Sequence, residues 1–463
     1  MSSNKIHFEI SERKMILYLF DLIFVWVGLF VVAYFFDFEY LQSLTTEPVP
    51  AIVLGVYLSV FGLIFEMYKL QVASNELQIL RSTLLTTTTT AFIYLLTPVF
   101  SPVLPSNRVQ IIVFFFLLFG SLTIWRLFYV RFLASNRFMQ STILICENEE
   151  VEDLILGLEN IDPHYKIIGY VSVDNEEFDE ARTHYVEQIM RNNLSSFVKD
   201  NSVAEVVIAS RKTDGISNSL YQQLLHLLES GKIIREYAQV YESKTQRIPV
   251  HYMAKDFYSF FPFSRSNQNK LYLTIVRIFD IVMSLIGVIV GVALLPLILI
   301  GNILGNSGPL FYVQKRVGKD GLVFDILKFR SMVKNSEKDG AIFASDNDNR
   351  TTRFGKFMRK TRMDEIPQCI NILKGDMAVV GPRPERPEFI KEIADRMPFY
   401  ETRHVIKPGL TGWAQVNYSY GETIEDSLIK LQYDLYYIKH RSFYLDLSIG
   451  LKTITTVLFY RGQ

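Results

Sequence analysis

This 463-residue chain has only two cysteines, Cys146 and Cys369, too few for a disulfide framework and compatible with a reducing compartment. Each reads as a small buried apolar residue rather than a reactive thiol. Its seven histidines are scattered from His7 to His440 without ligand spacing, which argues against a His/Cys zinc or iron site. No G-x-G occurs anywhere, so a glycine-rich dinucleotide loop is missing. Net charge is missing too: 48 basic residues balance 48 acidic ones, and bulk charge gives no case for nucleic acid.

Apolar residues are abundant, at 49% of the chain with a mean hydropathy of +0.17. Segments 15–36, 51–67, 84–103 and 111–130 each approach the roughly 20 residues needed to cross a bilayer. The third is the weakest, with its run of threonines and Pro98 near its end. No small-residue cleavage site is evident after the first, which therefore reads as an anchor. Lys5, Arg13 and Lys14 precede the first segment, Lys69 and Arg81 lie between the second and third, and Arg131 and Arg137 follow the fourth. The other two loops hold Asp37, Glu39 and Glu47 without a base, and then only Arg108. The positive-inside rule puts the N-terminus and everything after Arg131 in the cytoplasm. Residues 1–137 are thus expected to form a four-helix transmembrane bundle.

Residues 138–250 change character. Apolar stretches 142–146, 166–173 and 205–209 read as buried strands alternating with helices at 151–159 and 217–230, a Rossmann-like α/β pattern. The turn after the first strand is Glu147-Asn148-Glu149-Glu150, acidic and without glycine. The block is expected to be a degenerate fold serving packing or regulation, without a bound cofactor. A further apolar run, 278–300, contains Pro296 and is basic on both flanks: Lys270 and Arg277 before it, Lys315, Arg316 and Lys319 after. A single crossing would expose one basic flank outside and separate the following residues from the α/β block. A helix broken near Pro296 that returns to the same face avoids both; a kinked spanning helix is the alternative. Late aromatics Tyr433, Tyr436, Tyr437, Phe443 and Tyr444, beside Lys439 and Arg441, suit a headgroup layer or a core equally.

The chemistry concentrates in TRMDEIPQCINILKGDMAVVGPRPERPE, residues 361–388. Asp364 and Glu365 lie among Arg359, Lys360, Arg362, Arg383 and Arg386. Acids among bases suit work on a phosphate, one group attacking or holding a metal while others neutralise oxygens. A helix over about 364–373 would carry the pair in its first turn, where Pro367 is tolerated, and Gly375 would end it. Neighbouring helical residues point about 100° apart, so the two carboxylates can face different partners. Arg383, stiffened by Pro382 and Pro384, suits bidentate phosphate contact. Lys328 and Arg330, in KFRSM after a strand-like VFDIL, are candidates for substrate or headgroup contact. Arg362 is either a phosphate ligand or a helix-face charge, and Arg386 either binds phosphate or pairs with Glu388. The loop 346–349 lacks the glycine and acid an EF-hand requires, because Thr351 and Phe357 stand there; it reads as a turn, with Asp348 able to support the site.

Four ordered segments, QKRVGKDGLVFDILKFRSM (314–332), RTTRFGKFMRKTRMDEIPQCINILKGDM (350–377), VGPRPERPEF (380–389) and KPGLTGWAQVNY (407–418), resemble the bacterial sugar transferases. These are monotopic polyprenyl-phosphate phosphoglycosyltransferases, and the resemblance covers about residues 267–463. It implies a C-terminal α+β catalytic domain with a re-entrant membrane helix at 278–304. It implies transfer of sugar-1-phosphate from a UDP-sugar to undecaprenyl (polyprenyl) phosphate with release of UMP, starting exopolysaccharide, capsule or O-antigen synthesis at the cytoplasmic face of the bacterial inner membrane. Asp364 would be the nucleophile forming a covalent aspartyl intermediate and Glu365 a ligand to Mg²⁺. Family members with this long architecture carry a similar α/β domain. Expected partners are the donor, the lipid acceptor, the bilayer and a possible second copy of the chain. A membrane-bound nucleotide-sugar dehydratase or epimerase would need the missing glycine loop. A transporter would need more apolar segments, and a catalytically silent assembly scaffold would have no use for the acid pair.

Overall fold

A computed structural model describes residues 10–36, 38–133, 139–159, 162, 165–174, 186–210, 216–250, 264–306, 308–333, 350–397, 399–418 and 423–458. The chain divides into two compact units, Met1–Thr245 and Gln246–Gln463. The loop 346–349 lies outside the described residues.

The first unit begins with α1 (Ile10–Phe35), α2 (Glu39–Thr46), α3 (Pro48–Ile64), the single turn α4 (Leu70–Ala73), α5 (Glu76–Leu95) and α6 (Val109–Phe128). Helix α1 lies against α6, α6 against α5, and α5 against α3, enclosing Leu29, Leu54, Tyr94 and Phe114. Two charges inside this bundle satisfy each other: Arg126 donates to Asp21 at 2.9 and 2.5 Å and to the Met67 carbonyl at 3.0 Å. Removing either partner would strand a buried charge. The threonines of α5 explain its weak hydropathy: Thr83, Thr86, Thr87 and Thr90 are all buried, and the Thr87 hydroxyl donates to its own helix at the Thr83 carbonyl, 2.9 Å away.

Among the described residues, three helices are long and apolar enough to cross a membrane: Glu12–Phe35, Val109–Leu133 and Lys270–Gly305. The pair α2–α3, bent by 93°, makes a fourth if taken as one span. Helix α5 is absent from that set.

The rest of the first unit is a five-stranded sheet with helices. It runs β1 (Gln140–Cys146), α7 (Val151–Glu159), β2 (Tyr165–Ser172), β3 (Glu187–Gln188), α8 (Leu194–Asp200), β4 (Glu205–Ile208), α9 (Asn218–Glu229), β5 (Ile233–Glu236) and α10 (Tyr237–Thr245). All strands are parallel in the order β3-β2-β1-β4-β5. Residues Ile143 to Cys146 of central β1 are fully buried, as expected of a parallel strand covered on both faces. Burial pushes the Cys146 thiol up, which makes it inert.

The second unit comprises α11 (Lys270–Gly305), β6 (Phe311–Val317), β7 (Val323–Phe329), α12 (Arg353–Lys360), α13 (Gln368–Lys374), β8 (Ala378–Val380), α14 (Pro387–Arg396), β9 (Gly409–Thr411), α15 (Trp413–Asn417), α16 (Ile424–His440) and α17 (Phe443–Leu458). Strands β6 and β7 form an antiparallel hairpin, and β8 pairs with β9 in parallel. The largest core packs Ile393, Trp413, Leu435, Ile438 and Ile449 around Ile248 and Val250. The segment entering this unit is therefore part of its core. The Ile248 N–H donates to the Gln432 carbonyl at 3.0 Å, and the Trp413 indole donates to the Gln246 carbonyl at 3.2 Å. Tyr437 is core, whereas Phe443 and Tyr444 are exposed.

Helix α11 differs from the expected break at Pro296. It continues through the proline as one helix of 36 residues. A proline removes its own N–H from the ladder and crowds the carbonyl of Val292 four residues before it, but the neighbouring hydrogen bonds can hold the helix. The helix touches the rest of its unit along most of its length. Tyr272 donates to Asp446, and Arg277 donates to the carbonyls of Ile372 and Leu373 at 2.6 and 2.7 Å. Asp280 accepts the Val379 N–H at 2.8 Å, and Ile298 packs with Phe329 and Met358.

Candidate active site

The acid pair does not open a continuous helix. Arg362, after α12, has φ of +57°, and Met363–Glu365 form a 3-10 turn; α13 begins only at Gln368. Pro367 explains the interruption: it has no N–H to give the Met363 carbonyl, which takes the Ile366 N–H instead at 3.2 Å. The expected stop is present. Gly375 sits at φ of +97° and its N–H caps the carbonyls of Asn371 and Ile372, both at 3.0 Å.

Asn371, passed over in the sequence, fixes α13 to the hairpin. Its amide donates to the Asp325 carbonyl at 2.8 Å and accepts the Leu327 N–H at 3.0 Å. The register of β7 then sets Lys328 beside the acid pair. The loop carrying Arg383 is held by backbone contacts: Gly381 N–H to the Thr411 carbonyl and Gly409 N–H to the Pro382 carbonyl, each 2.9 Å. A Cβ on Gly409 would lie 2.1 Å from the Gly381 nitrogen, so only glycine permits this approach. Arg316, also missed in the sequence, donates to the Pro384 carbonyl and to Glu385, both at 3.1 Å.

These elements converge on Glu365. Arg383 donates to its Oε1 at 2.9 Å, Arg362 reaches its Oε2 at 3.3 Å, and the Lys328 amine stands 3.8 Å from Oε1. Asp364 and Glu365 are both buried, at 7% exposure each. Their environments diverge. Burial and then the adjacent Glu365 charge push the Asp364 carboxyl up. Burial pushes Glu365 up as well, but Arg383, Lys328 and Arg362 outweigh it and hold that carboxyl well below the usual range. Burial lowers the Lys328 amine to about 8, against the pull of Glu365. Oδ1 of Asp364 has no hydrogen-bond partner among the described residues.

Two expected ligands lie differently. Arg330 is buried, and its donors go to the carbonyls of Pro309 at 2.8 Å, Met332 at 3.0 Å and Asn306. It closes the C-terminal end of α11 rather than facing the acid pair. Arg386 is half-buried over the ring of Phe389, 5.8 Å from its centroid. Among the described residues, no group of three His, Cys, Asp or Glu could hold a metal. With both Glu365 oxygens engaged by Arg383 and Arg362, a magnesium ion would fit there only when shared with substrate phosphates that draw those arginines off.

Residues 271–460 match the family model described as bacterial sugar transferase. A Bacillus subtilis (strain 168) protein provisionally named an undecaprenyl-phosphate N-acetylgalactosaminyl 1-phosphate transferase is 43% identical over 141 residues, which are 30% of this chain and 79% of that protein. The chain belongs to the bacterial sugar transferase family. An Aeromonas hydrophila UDP-N-acetylgalactosamine-undecaprenyl-phosphate N-acetylgalactosaminephosphotransferase is 50% identical over 155 residues, 34% of this chain and 37% of that protein. A Xanthomonas campestris pv. campestris UDP-glucose:undecaprenyl-phosphate glucose-1-phosphate transferase is 42% identical over 180 residues, 38% of this chain and 37% of that protein. The chain thus matches little more than a third of the length of these two larger transferases, and the family match falls within the unit that holds the acid pair.

Proposed function

We propose that this protein transfers sugar-1-phosphate from a UDP-sugar to undecaprenyl phosphate or another polyprenyl phosphate, releasing UMP. The observation that carries the reading is the asymmetric acid pair: Glu365 gathers three cations, while Asp364 beside it is buried with an oxygen that lacks a partner. An Asp364 oxygen attacks the phosphorus that bears the sugar. A P–O bond forms, the bond to the UMP oxygen breaks, and UMP leaves with the electron pair. An oxygen of the polyprenyl phosphate then attacks the same phosphorus and expels Asp364. A carboxylate nucleophile needs no base at neutral pH once ionised. Arg383, Arg362 and Lys328 offset charge on the diphosphate, and Lys328, Arg359 and Arg362 pull the Asp364 carboxyl toward its ionised form against its burial. Glu365, together with donor phosphates, would hold Mg²⁺, whose chemistry there is to neutralise charge on the diphosphate.

The contacts along α11 support monotopic attachment, with the unbroken helix lying shallowly at one face rather than turning back at Pro296. Contacts from Tyr272 to Asn302 stretch over roughly 45 Å of helix at 1.5 Å per residue, and they join one folded unit. A helix crossing a hydrocarbon core of about 30 Å would carry that unit into lipid. A shallow entry on the cytoplasmic face keeps the acid pair at the headgroups, where a lipid phosphate lies. Initiation of a surface polysaccharide at the inner membrane follows from such a product.

The test is a membrane-fraction assay with UDP-glucose, UDP-galactose and their N-acetylated forms, undecaprenyl phosphate and Mg²⁺, reading UMP. Acceptor-dependent UMP release with one donor is expected. No release with any donor favours a silent scaffold. Direct displacement, with no phosphorus label on Asp364 in the absence of acceptor, rejects the covalent step.

A further inference from the structure

Arg403 is a buried cation that the proposed chemistry does not use. It lies in the 3-10 turn Tyr400–Val405 and is 7% exposed. One terminal nitrogen, Nη2, donates to the Arg383 carbonyl at 2.8 Å and to Asp434 of α16 at 2.7 Å. The other, Nη1, donates to the Tyr400 hydroxyl at 2.6 Å. Asp434 and Tyr400 are 1% and 2% exposed, so the cluster is a closed charge network beneath the loop. Taking such a pair out of water gains little stability over an apolar filling of the same volume. Its geometric effect is specific, since it fixes the carbonyl of the residue whose side chain grips Glu365. With Gly409 holding the Pro382 carbonyl, two consecutive carbonyls of the loop are anchored.

We infer that Arg403, oriented by Asp434 and Tyr400, is a positioning residue for Arg383. It sets where the Arg383 guanidinium meets the phosphoryl group, and the inference rests on the transfer reaction proposed above. Arg403 touches no substrate. A misplacement of about 1 Å at such a group is enough to lower a rate about a hundredfold. An interaction improved only in the transition state changes kcat and leaves KM alone.

The test uses the full chain in detergent or nanodiscs. The double variant Arg403→Met with Asp434→Leu removes both charges and keeps apolar volume. A folded protein with Tm lowered by a few degrees is expected, because the Tyr400 hydroxyl and the Arg383 carbonyl lose their donor, with kcat reduced about 10- to 100-fold and KM for the UDP-sugar unchanged. Hydrogen exchange over residues 383–386 should quicken. Wild-type kcat together with unchanged exchange overturns the inference. Should the double variant unfold, Arg403→Lys carries the test: it keeps a cation against Asp434 but has no fork to reach Asp434, Tyr400 and the Arg383 carbonyl together. The same drop in kcat at retained Tm is expected, and wild-type kcat overturns the inference. A wild-type protein that releases no UMP with any donor defeats the underlying reading instead; exchange at residues 383–386 still reports whether the loop depends on Arg403.

Discussion

Replacing Asp364 by Asn removes one charge while keeping the shape of the side chain, and it separates catalysis from folding. The carboxyl is buried, and burial with the Glu365 charge raises its pKa above the ordinary value despite Lys328, Arg359 and Arg362 nearby. A raised carboxyl pKa means that the fold disfavours the ionised form, by about 1.4 kcal/mol for each unit. The neutral amide should therefore leave stability unchanged or higher, with each kcal/mol moving Tm by about 2–4 °C in a unit of this size. Turnover should fall at least about 1000-fold, since the amide is no nucleophile. The assays are UMP release with acceptor and thermal unfolding of the same preparation. Donor labelled in the sugar-bearing phosphate, given without acceptor, should tag wild type and not Asp364→Asn. Near-normal UMP release, or a Tm lower by more than about 4 °C, would refute the reasoning.

Arg330→Ala and Arg383→Ala should part company. The first strands three carbonyls, of Asn306 at the end of α11, of Pro309 just beyond it and of Met332 after β7, and should cost about 3 kcal/mol in denaturant unfolding while folded molecules keep their kcat. The second should cost less stability, because Lys328 and Arg362 still face Glu365, and should lower kcat about 100-fold or more. Gly409→Ala forces a methyl into the Gly381 backbone and should destabilise by about 3 kcal/mol, read as a lower urea midpoint; an unchanged midpoint would show that the two loops separate freely. Burial, helped by Arg403, lowers His404 to about 4. The unfolded chain then binds a proton first as pH falls below about 6.5, so this histidine's contribution is complete above that pH and is lost on approach to 4. Between pH 7.5 and 5.0 the loss is about 2 kcal/mol; His404→Gln should shrink the Tm difference between those pH values, and an equal difference in both proteins would exclude His404 as its source.

Much of the architecture was legible in the chain. Long apolar runs, buried strands 142–146, 166–173 and 205–209, and the glycine stop after the acid pair reflect local period and composition, and each appears in the structure as an element. Strands β3, β8 and β9, of two or three residues, leave no periodic trace; they exist because a neighbour supplies the hydrogen bonds. Pro367 was readable as a helix-start signal, yet it split the expected helix, because a missing N–H acts on the turn before it as well as the turn after.

The sequence by itself determined that this chain is rich in apolar segments, has no glycine-rich nucleotide loop and carries an acid pair among bases. Only the tertiary structure decided which bases serve that pair. Lys328 and Arg330 stand two residues apart, yet one faces Glu365 and the other holds the Asn306 carbonyl at the end of α11. Arg383 reaches Glu365 from a loop pinned by Gly409, Arg316 and Arg403. Charge type is written in each residue, but pairing depends on distance in space, which long-range packing sets and local pattern does not record.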